Sequence, residues 1–172
     1  LTKLFQELMH LHRLESMGGG LPLETLSVRE LATGVVEHCR DQAERESIDL
    51  QVDSVEEVSA SLNPEAFGHV LGNLVNNAIK YTGSGGWVRV SFGNDLRGPW
   101  VEVRDNGPGI DPQYRERVFE RFFRIDKGRA RKDGGTGLGL AIVKHLCKAM
   151  SAEIELQSVP GHGSCFTIRL SG

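Results

Sequence analysis

The run Trp100-Val101-Glu102-Val103-Arg104-Asp105 alternates strictly and leads into Asn106-Gly107-Pro108-Gly109-Ile110. A strand sends successive side chains to opposite faces. Val101, Val103 and Asp105 therefore share one face, and Trp100, Glu102 and Arg104 the other. A carboxylate closing an apolar face is costly unless something partners it. Two glycines follow at once, where a chain turns tightly or lets another group approach its backbone. An ordinary Asp-Asn-Gly turn after a strand accounts for these residues equally well. The choice between a turn and a site depends on the rest of the chain.

A chain of 172 residues holds one ordinary domain and an appendage. Its net charge of −3 gives no basic field for nucleic acid or anionic membrane. Cys39, Cys147 and Cys165 are widely separated and form no CxxC pair, which argues against a disulfide frame or a zinc site. No apolar run reaches the length of a membrane span, and there is no signal-peptide pattern.

Residues 1–17 read as a helix with Leu1, Leu4, Leu8 and Leu11 at heptad spacing. Gly18-Gly19-Gly20 stops it, so the expected boundary separates an appendage over 1–20 from a main domain over 21–172. Ser27-Val28-Arg29-Glu30 is a capping box opening a helix to about residue 46. Residues 48–53 and 58–62 alternate as strands. Asn63-Pro64 starts a helix running to about Tyr81. The runs 87–92 and 100–105 read as strands joined by a turn-rich loop over 93–99. Residues 106–136 show no long periodic segment; a connection of that length in a compact domain tends to be a functional lid. The low local stability expected there makes about 107–133 the most mobile part of the free protein. A helix to Met150 and strands at 152–157 and 164–170 complete the order. One-sided helices and alternating strands predict an α+β, two-layer α/β sandwich. Its sheet is mixed and mostly antiparallel, with the helices on one face and a short N-terminal helix added.

The helix over 64–81 carries an unusual face. Phe67, Val70, Leu71, Leu74, Val75 and Ala78 form the apolar side, and His69, Asn73, Asn76, Asn77 and Lys80 the other. Asparagine is a poor helix former, so three in five residues suggest amide ligands projecting into a cleft, against a weakly helical solvated face. Familiar phosphate loops are missing: there is no GxxxxGK[ST], and Gly135-x-Gly137-x-Gly139 does not follow a predicted strand. Those glycines do open a helix, whose first amides can bind anions.

Four stretches in order, His69–Tyr81, Asp105–Ile110, Phe119–Arg124 and Gly135–Leu140, resemble the ATP-binding domain of sensor histidine kinases over roughly residues 25–171. The wider class includes DNA gyrase and chaperone and mismatch-repair ATPases. The resemblance implies the Bergerat-type sandwich with ATP and Mg²⁺ as cofactors. It implies that Asp105 accepts from the adenine 6-amino group, while Gly107 and Gly109 let the backbone pass the base. Asn77 would hold the metal, with Asn73 one turn earlier in the same cleft. Lys80 and Arg124 would contact phosphate, Tyr81 would flank the base, and Ile110 and Leu140 would wall it. Phe119, Phe122 and Phe123 would anchor the lid. The stretch Gly135, Thr136, Gly137, Leu138, Gly139 would present helix-start amides. Ser164 would reach the adenine through water.

Gyrase-like members carry a water-activating glutamate where this chain has Asn73, an amide that cannot act as a general base. That favours a kinase over the alternative of a hydrolysing ATPase or a serine kinase of the same class. His10-Leu11 and His12-Arg13 do not fit the family's acceptor pattern of His, an acidic residue and a proline. Residues 1–17 resemble instead the end of the second helix of a dimerisation hairpin. No catalytic acceptor is therefore expected within residues 1–172, which alone should be monomeric and inactive in autophosphorylation. The implied partners are the hairpin domain, homodimeric in the full-length protein, and a response-regulator receiver domain. Nucleic acid is not among them. The implied location is cytoplasmic, with the full-length protein anchored in a bacterial inner membrane.

Overall fold

The computed structural model describes residues 5, 6, 8, 9, 12, 13, 16, 20–54, 56–125 and 135–172. The described residues among 5–16 are helical and exposed. The rest of the N-terminal helix, its Gly18-Gly19 stop and the basic run Lys127, Arg129, Arg131 and Lys132 lie outside the described residues.

From Glu24 the order is β1 (Glu24–Ser27), α1 (Val28–Arg45), β2 (Asp49–Val52), β3 (Ser59–Leu62), α2 (Pro64–Thr82), β4 (Trp87–Asp95) and β5 (Gly98–Asp105). Two 3-10 turns follow, Pro112–Tyr114 and Arg117–Phe119, and then α3 (Gly139–Ala149), β6 (Glu153–Val159) and β7 (Gly163–Arg169). The caps form as their sequences dictate. The Ser27 hydroxyl accepts from Glu30 N at 3.3 Å, and Asn63 Oδ1 accepts from Ala66 N at 3.0 Å with Pro64 in the first turn.

The main sheet has five strands in the order β2-β4-β5-β7-β6. Among the described residues only β2 and β4 run parallel, and the crossover between them contains α2. The helices lie on one face. Val36 and Cys39 of α1, Phe67, Val70, Leu71 and Leu74 of α2, and Val143 and Leu146 of α3 meet Val88, Val90, Val101, Val103 and Ile168 from the sheet. The solvent face carries polar and ionic partners instead, among them Arg89–Asp49 at 2.5 Å, Arg169–Asp95 at 2.6 Å and Arg97–Glu155 at 2.6 Å. This is the expected two-layer sandwich.

Three local expectations are corrected. Residues 58–62 do not join the main sheet by a ladder: β3 pairs antiparallel with β1, a strand its sequence did not announce. Glu24–Ser27 shows no alternation of burial, and its partner is more than thirty residues away. The loop over 93–99 shrinks to Leu96-Arg97, because Gly93, Asn94 and Asp95 pair with Trp100, Pro99 and Gly98. These turn formers extend a ladder, since cross-strand pairing outweighs single-residue preference. Finally, Asn76 does not face the cleft. Its Oδ1 lies 3.6 Å from Cys39 Sγ of α1, in a groove of about 510 Å³ lined by Gly34, Val35, His38, Gly68 and Gly72.

Candidate functional site

The alternation of β5 delivers Asp105 to the buried side, directly after Val101 and Val103. Asp105 is only 9% exposed, and Val88 of β4 lies opposite it. Its Oδ1 accepts from Gly107 N at 2.8 Å and from Ser164 N at 3.3 Å. Burial pushes this carboxyl above its ordinary range, and the two amides pull it back in part. The bonds that hold the carboxylate thus come from backbone, on the loop that follows it and on β7.

The loop after Asp105 is packed from two sides. A Cβ on Gly107 would lie 3.1 Å from Thr82 Cα and 3.3 Å from the Tyr81 carbonyl oxygen, at the end of α2. On the other side the β6–β7 turn closes in. Gly109 has φ +70, and a Cβ there would overlap the Val159 carbonyl; Gly161 N donates to Pro108 O at 2.7 Å. Gly163 has φ +88, and a Cβ on it would overlap the Asp105 carbonyl. These two positions combine a left-handed backbone with no room for a side chain, so glycine is required.

At the other end of the cleft, α3 begins against the polar face of α2. A Cβ on Gly139 would lie 3.0 Å from Asn73 Oδ1, and one on Gly135 would lie 2.8 Å from Lys80 Nζ and 3.2 Å from Arg124 Nη2. Two cationic side chains from separate elements thus converge on the Gly135 backbone. Asn77 sits one turn after Asn73, half-buried. Asn73 Nδ2 donates to His69 O at 2.9 Å. Leu138 N donates to Thr136 Oγ1 at 3.2 Å, while the Leu138 side chain is fully buried, so only its backbone can serve a ligand. Leu140 and Ile110 are half-buried against the core, and Tyr81 is exposed with Lys80 Nζ 5.4 Å from its ring centre.

The aromatic box divides. Phe119 packs edge-on against Phe166 at 6.2 Å, and Phe123 lies 5.8 Å from Tyr114 with Arg117 4.3 Å over its ring. Phe122 is turned outward, 57% exposed. Its backbone is what docks, with φ +61 and its N–H donating to Gly137 O at 2.9 Å.

Ser164 lies beside Asp105, to which its amide donates. Sequence reading missed Ser158, Arg115 and Asn106. Ser158 receives Ile110 N at 2.7 Å, Arg115 donates to the Ser158 carbonyl, and Asn106 Oδ1 accepts from Trp87 N at 2.7 Å. A serine near the end of a strand gives no periodic signal; only the glycine-bracketed turn after it, Pro160-Gly161-His162-Gly163, could have drawn attention there.

Burial pushes the Cys147 thiol up to about 12 and the Cys165 thiol up to about 11, and raises Cys39 as well, which disfavours thiolate formation at all three. Among the described residues no group of three or more His, Cys, Asp or Glu gathers to hold a metal. A cation here would rely on amide oxygen and on the oxygens of a ligand. That donor set suits Mg²⁺, which keeps few protein ligands beside phosphate. Among the described residues no helix is long and apolar enough to cross a membrane.

Residues 62–171 match the family described as histidine kinase-, DNA gyrase B-, and HSP90-like ATPase. The sensor-like histidine kinase SenX3 of Mycobacterium tuberculosis is 37% identical over 172 residues, covering 99% of this chain and 42% of that protein. The phosphate regulon sensor protein PhoR of Pseudomonas aeruginosa is 50% identical over 95 residues, covering 55% of this chain and 21% of that protein. The crystal structure of full-length ShkA in complex with AMPPNP superposes with a TM-score of 0.85 at 27% identity, covering 96% of this chain and 34% of that one. The chain spans less than half the length of these relatives. It belongs to the histidine kinase-, DNA gyrase B- and HSP90-like ATPase family, and the relatives it resembles are sensor histidine kinases.

Proposed function

We propose that this chain is the ATP-binding catalytic domain of a two-component sensor histidine kinase. Residues 21–172 form the catalytic unit, and residues 1–20 end the second helix of a dimerisation hairpin. The observation that carries the reading is Asp105, a buried carboxylate held by two backbone amides at one end of a cleft whose other end gathers Lys80, Arg124 and the start of α3. Asp105 accepts from the adenine 6-amino group. Gly107 lets the base lie close to the backbone, with Tyr81, Ile110 and Leu140 around it. Lys80, Arg124 and the Gly135–Gly139 amides take the phosphates. Asn77, with Asn73 beside it, holds a magnesium ion that neutralises phosphate charge when bound.

The chemistry is phosphoryl transfer by positioning and charge stabilisation. A histidine nitrogen of the hairpin bonds to Pγ as the bond from Pγ to the bridging oxygen breaks, and ADP leaves with that electron pair. Asn73 supports transfer over hydrolysis: an amide whose nitrogen donates to His69 O cannot take a proton from water. Onward transfer to a receiver-domain aspartate, inner-membrane anchoring of the whole protein, and a monomeric state for residues 1–172 belong to the same reading.

The test is incubation with γ-labelled ATP, with and without a separate hairpin domain carrying a His-Glu-x-x-Thr-Pro-like stretch. Acid-labile label is expected on the hairpin only, and transfer in an Asn77→Ala variant should lose most of its magnesium dependence. Label on His10 or His12 overturns the reading of the N-terminal helix. Rapid phosphate release without the hairpin favours the hydrolysing ATPase.

A further inference from the structure

Ser158 is 5% exposed, is the penultimate residue of β6 and reaches both sides of the base end of the cleft. Its Oγ accepts from Ile110 N at 2.7 Å, donates to Gly163 O at 2.9 Å and lies 2.9 Å from Ser164 Oγ. Its carbonyl accepts from Arg115 Nη2. A hydroxyl has one proton and two acceptor sites. The Gly163 carbonyl can only accept and the Ile110 amide can only donate. One arrangement satisfies every member: Ser158 gives its proton to Gly163, and Ser164 gives its proton to Ser158. Buried networks of this kind are stable when fully satisfied.

The consequence falls on Ser164. With its proton committed to Ser158, its hydroxyl offers only lone pairs, while its amide donates to Asp105 Oδ1 at 3.3 Å. The polar groups around Asp105 then present acceptors: a carboxylate and an oriented hydroxyl. A base with an amino group at the 6-position supplies the donor this set lacks. A 6-oxo base lying the same way sets its O6 acceptor against the carboxylate and is repelled, and it can offer its N1–H donor only by shifting out of that position.

We propose that Ser158 is a positioning residue for base recognition. It pins the 108–110 loop to the β6–β7 turn and fixes the Ser164 hydroxyl as an acceptor, which sharpens discrimination of adenine from guanine nucleotides. The inference rests on the nucleotide reading above and adds to it a residue that touches neither base nor phosphate.

The experiment measures the dissociation constants of Mg·ATP and Mg·GTP by calorimetry on the 172-residue chain and its variants. Ser158→Ala is expected to weaken ATP about tenfold, the loss of roughly one net buried hydrogen bond. GTP should change less, so the GTP-to-ATP ratio falls. Ser158→Thr, which keeps the hydroxyl, should restore the ratio. A purely structural serine would lower thermal stability and leave the ratio unchanged, and that result overturns the proposal. If Ser158→Ala does not fold, Ser164→Ala carries the test, because it keeps the Ile110 and Gly163 bonds. A fall in its ratio is expected, and an unchanged ratio overturns the proposal. A wild-type chain that binds neither nucleotide instead removes the nucleotide reading on which the proposal stands.

Discussion

The two ends of the cleft are built from different material. At the base end, Asp105 is buried and held by the amides of Gly107 and Ser164, and the loop beside it is clamped by the Ser158–Ser164 turn. At the phosphate end, the pieces are long side chains from separate elements, Lys80 from α2 and Arg124 from beyond the second 3-10 turn, meeting at Gly135. Backbone geometry is fixed by the sheet itself, so the base end is preorganised along with the core. Long cationic side chains carry several rotatable bonds, so fixing them costs more conformational entropy than fixing backbone groups already set by a sheet. On the proposed reading, the difference makes recognition of the base a property of the fold and recognition of phosphate a property of side chains placed on it.

Substituting one glycine at each end tests this contrast most directly, beginning with the larger effect. Gly163→Ala would force left-handed strain of about 1–2 kcal/mol and overlap the Asp105 carbonyl, with overpacking adding about 1–3 kcal/mol. Chemical denaturation should show a loss of at least about 2 kcal/mol. A loss below about 0.5 kcal/mol would mean that the turn relaxes freely and the base end is not preorganised.

Asp105→Asn separates binding from stability. Calorimetry should show ATP weakened by roughly 1.5–3 kcal/mol, the range for a hydrogen bond to a charged group. Thermal melts should show no matching loss of fold. The Asp105 carboxyl titrates above its ordinary value because it is buried. A group raised in this way supports the fold below the ordinary value, and that contribution is lost as pH rises through the raised one. The asparagine variant has no such loss. It should gain on the wild type from acid to neutral pH, and the two should converge in acid. Divergence in acid instead would reverse the assigned sign.

Gly135→Ala is expected to have the smallest effect on the fold. Its new methyl would meet the ends of Lys80 and Arg124, which can swing aside, so denaturation midpoints should hardly move. Nucleotide affinity should fall by about 1 kcal/mol, and salt should narrow the gap as it screens the displaced charges. A large drop in stability would show that the phosphate end is as rigidly built as the base end.

The same contrast explains what the sequence made legible. Asp105 could be found because the strict alternation of β5 forces a carboxylate onto an apolar face, a conflict visible in six residues. Asn73, Asn77 and Lys80 could be found because asparagine is costly in a helix. Asn76 broke the pattern: α2 is flanked by α1 on that side, and a helical arc wide enough to hold five polar residues spans two neighbours. Ser158 and β1 were not legible, since their roles arise from partners brought together only by the tertiary fold. The exposed side chain of Phe122 was hidden for a related reason: an aromatic cluster announces packing, but a left-handed backbone turned this one outward.

The glycines that clamp the loop beside Asp105 also bear on how the protein could escape an inhibitor. A competitive compound that hydrogen-bonds Asp105 and stacks above Gly107 would contact positions with little freedom to vary. Gly109 and Gly163 admit no side chain, and on the proposed reading loss of the carboxylate weakens nucleotide binding as well. Resistance would then have to arise at exposed residues such as Tyr81, whose side chain can change without unpacking the loop.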